Sequence, residues 1–268
     1  KKTSAGILAE IDEANGGTVS GLNETTGTIT VNEETSAGML GKSLATLTNA
    51  SGATITIKGK ASAGMYAENA TPTNAGIINV KGEKSAGIFA KVSDSKDRSI
   101  VNTGSIKLTG TSETKSAGMY VEIANGATGT TTLENKNLIS VNQKESVGMY
   151  IKNKSGNRDL GIALNSAPNG KINLEKESTV GIYVDNALGE NKSIINVRKG
   201  NSAGMYGSSD SKITNALKIN ISNEKSAGMY ALDSEAINTK DGKIKVDGNS
   251  GATGGSAGMY GKLTSNAK

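Results

Sequence analysis

The stretch Lys115-Ser-Ala-Gly-Met-Tyr120 determines the fold, because copies of its last five residues recur along the whole chain. Self-similarity with a period of about 20 to 50 residues indicates a repeat architecture. Ten copies are present, and they begin at Ser4, Ser36, Ser62, Ser85, Ser116, Ser146, Thr179, Ser202, Ser226 and Ser256. The sequence is therefore a tandem repeat, and each repeat has to be interpreted as one structural unit.

A second element, isoleucine followed two residues later by Val, Leu or Ile, precedes nine of the ten copies. Its members are Ile29/Val31, Ile55/Ile57, Ile78/Val80, Ile106/Leu108, Ile139/Val141, Ile172/Leu174, Ile195/Val197, Ile219/Ile221 and Ile244/Val246. A third element is an apolar residue two positions before Asn, as in Leu47-Thr-Asn49 and Leu133-Glu-Asn135. Short β-branched segments separated by Gly and Asn are typical of strands and turns, so each unit contains three strands.

The length of the units decides how these strands are arranged. Successive copies are separated by as few as 23 residues, from Ser62 to Ser85. That length holds three short strands but not a helical repeat of about 34 residues. Strands that recur once per unit without a returning hairpin must stack in parallel on their own copies. We predict an all-β, right-handed parallel β-helix of about ten coils, with residues 1–268 forming one segment.

Alternation along a strand predicts which side chains face inward. The seventh position of the repeat is mostly charged, as at Glu122 and Lys152, so it faces water. Counting back from it places the Ser, Gly and Tyr of the motif on the outer face. The Ala, the Met and the sixth residue then line the core. Asn at the bends, such as Asn74, Asn102 and Asn135, is expected to adopt a left-handed backbone and to pair with its stacked copies.

The composition excludes several kinds of chemistry. The chain has no Cys, His or Trp, and all seven Met, all seven Tyr and the single Phe belong to the recurring motif. Without His or Cys there is no Ser-His-Asp triad and no ordinary zinc site, so we expect no catalytic residues, cofactor or metal. The net charge of +5 comes from dispersed Lys rather than a basic patch with aromatics, so we expect no nucleic-acid binding.

Two stretches in fixed order carry a resemblance to a known family. Asn102-Thr-Gly-Ser-Ile-Lys-Leu108 followed by Lys115-Ser-Ala-Gly-Met-Tyr120 resembles the passenger repeats of the large fusobacterial type V autotransporter adhesins. The resemblance extends over all ten units. It implies a β-helical stalk exposed at the cell surface that attaches to a surface protein or glycan on other bacteria or host cells. It also implies anchoring in the outer membrane through a translocator domain absent from this chain, so that the chain is an internal slice of a longer passenger.

An aromatic residue at the fifth motif position forms the most conspicuous column. Its members are Tyr66, Phe89, Tyr120, Tyr150, Tyr183, Tyr206, Tyr230 and Tyr260. Aromatic rings on a flat face can bind sugars or anchor a protein partner. Because the residue recurs whatever the position along the rod, we favour a structural ladder in which each ring covers the neighbouring Gly backbone.

Longer connections are better candidates for specific binding, because insertions in a solenoid fall on one side and often carry function. The candidate residues in two such loops are Asp97, Arg98, Lys154, Asn157, Arg158 and Asp159. Neutral loop variation is the alternative interpretation of these residues. For the chain as a whole, the alternatives to a non-enzymatic adhesin are a purely structural stalk and a carbohydrate-active β-helix enzyme.

Overall fold

The computed structural model describes residues 4–11, 17–110, 115–247 and 255–264, and the rest of the predicted 1–268 segment lies outside these ranges. The described chain is all-β apart from one turn of 3-10 helix at Arg158–Leu160. Strands of three kinds follow one another in a fixed order, numbered β1 to β28 along the chain. The predicted fold class is confirmed.

Three parallel sheets contain all 28 strands of the described residues. Sheet A has ten: β1 (Ala5–Glu10), β4 (Ala37–Lys42), β7 (Ala63–Glu68), β10 (Ala86–Val92), β13 (Ala117–Ile123), β16 (Val147–Asn153), β19 (Val180–Asp185), β22 (Ala203–Ser208), β25 (Ala227–Leu232) and β28 (Ala257–Lys262). Sheet B has nine: β2 (Ser20–Asn23), β5 (Thr46–Asn49), β8 (Thr71–Asn74), β11 (Arg98–Asn102), β14 (Thr131–Asn135), β17 (Gly161–Asn165), β20 (Leu188–Asn191), β23 (Lys212–Asn215) and β26 (Glu235–Asn238). Sheet C has nine: β3 (Thr28–Val31), β6 (Thr54–Ile57), β9 (Ile77–Val80), β12 (Ser105–Leu108), β15 (Leu138–Val141), β18 (Lys171–Leu174), β21 (Ile194–Val197), β24 (Lys218–Ile221) and β27 (Lys243–Val246).

Each strand pairs in parallel with the corresponding strands of the neighbouring coils. The pairing is in register, so that Met119 lies beside Met149 in sheet A and Ile106 beside Ile139 in sheet C. The chain therefore winds into a parallel β-solenoid of about nine turns. The Ser-Ala-Gly motif forms sheet A, the apolar-x-Asn element sheet B and the Ile-x-Val element sheet C, as the repeat predicts.

The core is a narrow strip along the rod rather than a globular centre. Met119 of sheet A, Leu133 of sheet B and Ile139 of sheet C are all fully buried, and the same three kinds of side chain recur coil after coil. Each coil buries only a few apolar side chains, so a chain with modest apolar content can still form a continuous core.

A chain of asparagines, buried in all but its last member, runs beside this strip at the end of each sheet B strand. In every step the side-chain amide nitrogen of one Asn donates to the side-chain oxygen of the next, at 2.7–2.9 Å. The members are Asn23, Asn49, Asn74, Asn102, Asn135, Asn165, Asn191, Asn215 and Asn238. The predicted pairing of stacked copies is confirmed. The predicted left-handed backbone is wrong, because none of these residues has a positive φ.

Left-handed corners lie instead directly before the motif Ser, and a second set follows sheet A in several coils, as at Asn69 and Asn186. Lys84, Lys115 and Glu145 have φ values of 52°, 43° and 52°. The following Ser is buried at the corner rather than on the outer face that alternation predicts. The backbone N–H of Ser85 donates to the hydroxyl of Ser116 at 3.3 Å, and that hydroxyl also bonds to the carbonyl of Gly82 at 3.1 Å. The Ser column therefore satisfies backbone groups at the tightest bend of the coil.

Gly and Ala of the motif also face the opposite way from the prediction. A Cβ atom added to Gly118 would lie 2.6 Å from the Gly148 carbonyl oxygen and 3.0 Å from Cγ2 of the buried Ile139. The position of Gly118 therefore points into the rod. In strands β13 and β16, Ala117 pairs with Val147 and Met119 with Met149, but the glycines between them are not paired. The regular alternation of inward and outward side chains is therefore interrupted at the glycine. Gly and Met both face inward as a result, and Ala faces outward.

The seventh motif position forms a column of alternating charge on the outer face of sheet A. Along neighbouring coils the residues are Glu10, Lys42, Glu68, Lys91, Glu122, Lys152 and Asp185. Glu10 and Lys42 form an ion pair at 3.3 Å. Opposite charges on directly paired residues of neighbouring strands contribute about 0.2–1 kcal/mol each.

The buried asparagine ladder yields a first prediction. Asn135→Ala removes the acceptor to which the Asn102 side-chain amide donates and the donor that bonds to the Asn165 side-chain oxygen, and so breaks the ladder in the rod interior. We expect the free energy of unfolding to fall by about 2–4 kcal/mol, measured by urea denaturation. The matched control is Asn142→Ala, an exposed Asn next to sheet C, which should change stability by less than about 0.5 kcal/mol. Equal effects of the two substitutions would contradict the role assigned to the ladder.

The reversed orientation of Gly and Ala yields a second prediction. Gly118→Ala should destabilise the chain by about 1–3 kcal/mol, because the added methyl meets backbone and a core isoleucine. Ala117→Val should be tolerated, since Val147 and Val180 already occupy the same position in neighbouring coils. Thermal unfolding of both variants measures the difference. A larger loss of stability for Ala117→Val than for Gly118→Ala would indicate that Ala faces the core and Gly the solvent, as alternation predicts.

Candidate functional site

The aromatic residues of the motif form one column on the outer face of sheet A. Neighbouring ring centroids are 4.6–5.3 Å apart over the whole column from Tyr66 to Tyr260. The rings from Phe89 to Tyr183 are stacked with interplanar angles of 5–9°. At both ends of this stack the next ring is turned, by 85° at Tyr66 and 73° at Tyr206.

Each ring contacts the rings of the neighbouring coils. The Gly of the motif faces inward, and the covering of its backbone by an aromatic ring stays a prediction. The close ring contacts stabilise neighbouring coils by about 0.5–1.5 kcal/mol per pair. The column therefore contributes to the rod's stability, and its outer surface remains open to solvent.

A long trough runs beside the aromatic column and has a volume of about 920 Å³. Its floor consists of outward-facing small residues: Ala37, Ala63, Ala86, Ala117, Val147 and Val180. One wall consists of Leu40 and the rings of Tyr66, Phe89, Tyr120, Tyr150 and Tyr183. The other wall is formed by the left-handed corner residues Thr35, Ala61, Lys84, Lys115, Glu145 and Ser178. The trough thus spans six coils parallel to the rod axis.

A second cavity of about 490 Å³ extends the trough along the next coils. It shares Ser178 and Val180 with the first and continues past Tyr206 to Tyr260. The same column positions line both cavities, so the surface is a repeated feature of the motif. The charged residues along the larger trough are Lys42, Lys84, Lys115, Glu68 and Glu145, and their charges nearly cancel.

The tyrosine hydroxyls differ in their surroundings. Tyr183 shares a hydrogen bond with Ser208 at 3.3 Å, whereas the hydroxyls of Tyr120 and Tyr150 have no hydrogen-bond partner in the described part of the chain. Burial within the stack raises the pKa of Tyr120 to about 12, with a further contribution from Glu122 and Asp185. Burial also raises the pKa of Tyr150. Both hydroxyls are therefore neutral donors at any physiological pH.

The first loop candidate differs from its prediction. Arg98 begins strand β11 rather than lying in a loop, and only 2% of its side chain is exposed. Its guanidinium pairs with Asp94. Asp97 accepts a hydrogen bond from the backbone N–H of Thr130 at 2.8 Å, which ties it to the next coil. Arg98 is thus enclosed by the protein, and the ion pair with Asp94 neutralises its charge there.

The second loop presents its polar residues at the surface. Lys154 pairs with Glu122, and the Asn157 side chain accepts from the backbone N–H of Asp159 at 3.1 Å. Arg158 reaches across later coils and lies 3.4 Å from the carboxylate of Asp210. These contacts hold the loop in a defined shape while Lys154, Asn157 and Asp159 remain exposed.

The structure does not bring the loops and the trough together. The trough borders the corner before sheet A, whereas both loops follow sheet A, and none of the six loop candidates lines the trough. Sequence reasoning missed the trough because it placed Ala117 and its equivalents in the core. A signal was present in the sequence, since Val147 replaces Ala while the following inward position keeps its Met at Met149.

Within residues 4–11, 17–110, 115–247 and 255–264, no group of three or more acidic, His or Cys side chains is arranged to hold a metal ion. Among the same residues, no helix has the length and apolar character needed to cross a membrane.

The fold and the trough define a class, the parallel β-solenoids with an elongated surface along one sheet. A family model described as the BigA third pectate lyase-like domain matches residues 41–186, which is more than half of the chain. The chain belongs to this family, and it is a β-helical, passenger-like domain of a bacterial surface protein. No curated protein and no solved structure matches it.

The raised pKa of Tyr120 yields a third prediction. A pKa higher in the folded state than the ordinary value of 10.0 means that folding favours the protonated phenol. The contribution of the protonated phenol to the free energy of unfolding is complete below pH 10 and is lost as the pH rises towards 12. Tyr120→Phe should therefore raise the urea midpoint at pH 11 relative to the parent chain, while the two chains differ little at pH 8.

The control for this measurement is Tyr260→Phe, because that ring lies at the more exposed end of the column, with 47% of the residue accessible. Phe89 shows that a ring without a hydroxyl fits the stack. A parallel loss of stability in the parent chain and in Tyr120→Phe between pH 8 and pH 11 would contradict the prediction.

Proposed function

We propose that the chain is a non-enzymatic attachment segment from the passenger of an outer-membrane-anchored autotransporter, similar to the fusobacterial adhesins. It binds a protein or glycan on the surface of partner bacteria or host cells. The observation that carries the proposal is the solvent-open trough along sheet A, which offers one continuous contact surface over six coils.

The solenoid architecture supports presentation of that surface away from the cell. Nine turns at a strand spacing of about 4.8 Å give a rod of roughly 43 Å. The in-register pairing of every coil and the internal asparagine ladder make the rod a continuous body over the described coils. A contact surface repeated along such a rod keeps the same form from coil to coil.

The loop around Arg158 offers a second contact surface on a different corner. Its exposed residues are Lys154, Asn157 and Asp159, and the Arg158 guanidinium anchors the loop against Asp210. A loop ordered before binding loses less conformational entropy when a partner docks. We therefore retain this loop as a binding candidate and do not retain Arg98, whose side chain is enclosed.

A structural stalk whose binding site lies elsewhere is one alternative. A carbohydrate-active enzyme is the other, and the name of the matched family, which includes the words pectate lyase-like, is the reason to test it. The attachment proposal is preferred because the trough is lined by small apolar and aromatic residues rather than by convergent acidic groups.

A competition experiment tests the attachment function. The purified chain is added to a bacterium that displays it, together with partner cells, and the attached cells are counted. We expect attachment to fall as the concentration of the chain rises. Arg158→Ala should raise the half-blocking concentration several-fold, because the loop loses its anchor to Asp210. The control is Arg198→Ala, which removes an exposed ion pair with Glu175 at the end of sheet C.

The outcomes separate the alternatives. Absence of any competition by the parent chain would favour the structural stalk. Identical competition by Arg158→Ala and the parent chain would remove the loop from the contact surface. Release of unsaturated or reducing sugar ends from polygalacturonate or another glycan by the purified chain would show that the non-enzymatic description is wrong.

A further inference from the structure

The trough has a shape and chemistry that select a class of ligand. We propose that it binds a proline-rich polypeptide in the polyproline II conformation. The inference rests on the proposed attachment function, since it assigns the partner chemistry of the same surface. Four properties of the trough support it: its linear form, its period, its apolar floor and its near-neutral charge.

The linear form follows from the fold. The floor extends from Ala37 to Val180 through six coils, which is about 24 Å at a strand spacing of about 4.8 Å. A ligand that fills it must be extended and unbranched. A polyproline II segment rises about 3.1 Å per residue, so about eight residues span the trough.

The period of the trough discriminates between extended conformations. Two coils rise by about 9.6 Å, and one turn of polyproline II rises by about 9.3 Å, so successive turns meet equivalent pairs of coils. A β-strand repeats its side chains every 6.8 Å or so, and an α-helix has a pitch of about 5.4 Å. Neither of these repeats matches one or two coils, and each would lose register within the trough.

The hydrogen-bonding groups around the trough favour a ligand with few N–H donors. The backbone groups of sheet A are used in pairing between coils, as along strands β13 and β16. The Ser85 hydroxyl is used at the corner, where it donates to the Gly59 carbonyl at 2.9 Å. An ordinary peptide would therefore leave N–H groups without partners against an apolar floor, which costs free energy. Proline residues have no N–H.

Apart from the carboxylates of Glu68 and Glu145, the groups that remain available along the walls include donors. The Tyr120 and Tyr150 hydroxyls lack partners in the described part of the chain, and the Lys84 ammonium lies on the opposite wall. The carbonyls of a proline-rich segment are unpaired acceptors, because polyproline II has no internal hydrogen bonds. The chemistry of the two surfaces is therefore complementary.

Charge and ring orientation argue against sugar ligands. Three Lys and two Glu line the trough, so it lacks the strong positive field that an acidic polysaccharide would require. Sugar rings bind aromatic residues through the ring face. From Phe89 to Tyr183 these faces are turned towards one another, with centroids 4.6–4.9 Å apart. A proline ring has no hydroxyl groups to leave unpaired, so it can pack against ring edges and the methyl groups of the floor at less cost than a sugar ring.

The test measures binding of a labelled octaproline peptide to the full chain by fluorescence anisotropy. We expect saturable binding that a Gly/Ser peptide of the same length does not reproduce. Ala117→Leu places a larger side chain on the floor, and it should weaken binding by at least about tenfold. Val147 and Val180 show that larger side chains are accommodated at this position, so the variant should fold.

The matched control is Ser140→Leu, which adds a similar apolar side chain to the outer face of sheet C, away from the trough. It should leave the dissociation constant within about twofold of the parent value. Circular dichroism melts of both variants confirm folding. Absence of octaproline binding, equal binding of the Gly/Ser peptide, or no effect of Ala117→Leu in a folded chain would each overturn the proposal.

A second measurement separates this inference from the attachment function. Octaproline is added to the cell-attachment experiment, and oligogalacturonate and a neutral linear oligosaccharide are added in parallel. Inhibition by octaproline alone supports the inference. If the chain blocks attachment but only a saccharide inhibits, the attachment function stands and the ligand class is wrong. If octaproline binds the trough but the chain never blocks attachment, the binding site stands and the attachment function fails.

Discussion

The buried asparagine ladder is the constraint on which the rest of the rod depends. An amide side chain carries both donors and an acceptor. Each Asn can therefore accept a hydrogen bond from the copy in one neighbouring coil and donate one to the copy in the other. Most of the ladder Asn side chains also donate to a nearby backbone carbonyl, as Asn102 does to Gly104 at 3.2 Å. Because an unpaired buried amide is costly, the ladder fixes the height and rotation of each coil relative to the next. The flanking strands of sheets B and C are then held in register at their shared corner.

The trough is a consequence of a second packing constraint, at the glycine of sheet A. The side chain of Ile139 packs where a Cβ of Gly118 would lie, so the two sheets approach more closely than any larger residue would allow. Since Gly and Met both face inward, the preceding Ala turns outward and leaves a shallow floor between the corner and the aromatic rings. The groove and the close contact between sheets thus have the same cause. A surface with that origin recurs in the coils from Ala37 to Ala257 and can be deepened or filled by one substitution per coil.

Much of the architecture could be predicted from the sequence because the repeat is expressed in residue types with strong conformational preferences. The Ile-x-Val and apolar-x-Asn elements identified two sheets, and the shared motif identified the third. The orientation of Ala117 and Gly118 could not be predicted by alternation, since the interruption between Gly and Met is a property of packing between sheets. Arg98 was misplaced because a charged residue between polar neighbours indicates a loop, and its internal partner Asp94 becomes apparent only once the chain is folded. The left-handed corner at Lys115 carries no Gly or Asn to mark it. The candidate trough depends on the orientation of Ala, so it could not be predicted from sequence patterns.

The alternating charges of the seventh motif position have a consequence for how such a rod can grow in evolution. Glu122 lies between Lys91 and Lys152, so each coil from Glu10 to Asp185 has neighbours of the opposite sign. Duplication of a single coil would place two like charges side by side, whereas duplication of a pair of coils would preserve the order. The same rule applies to deletions. The inheritable unit of this part of the rod is therefore two coils, although the structural unit is one.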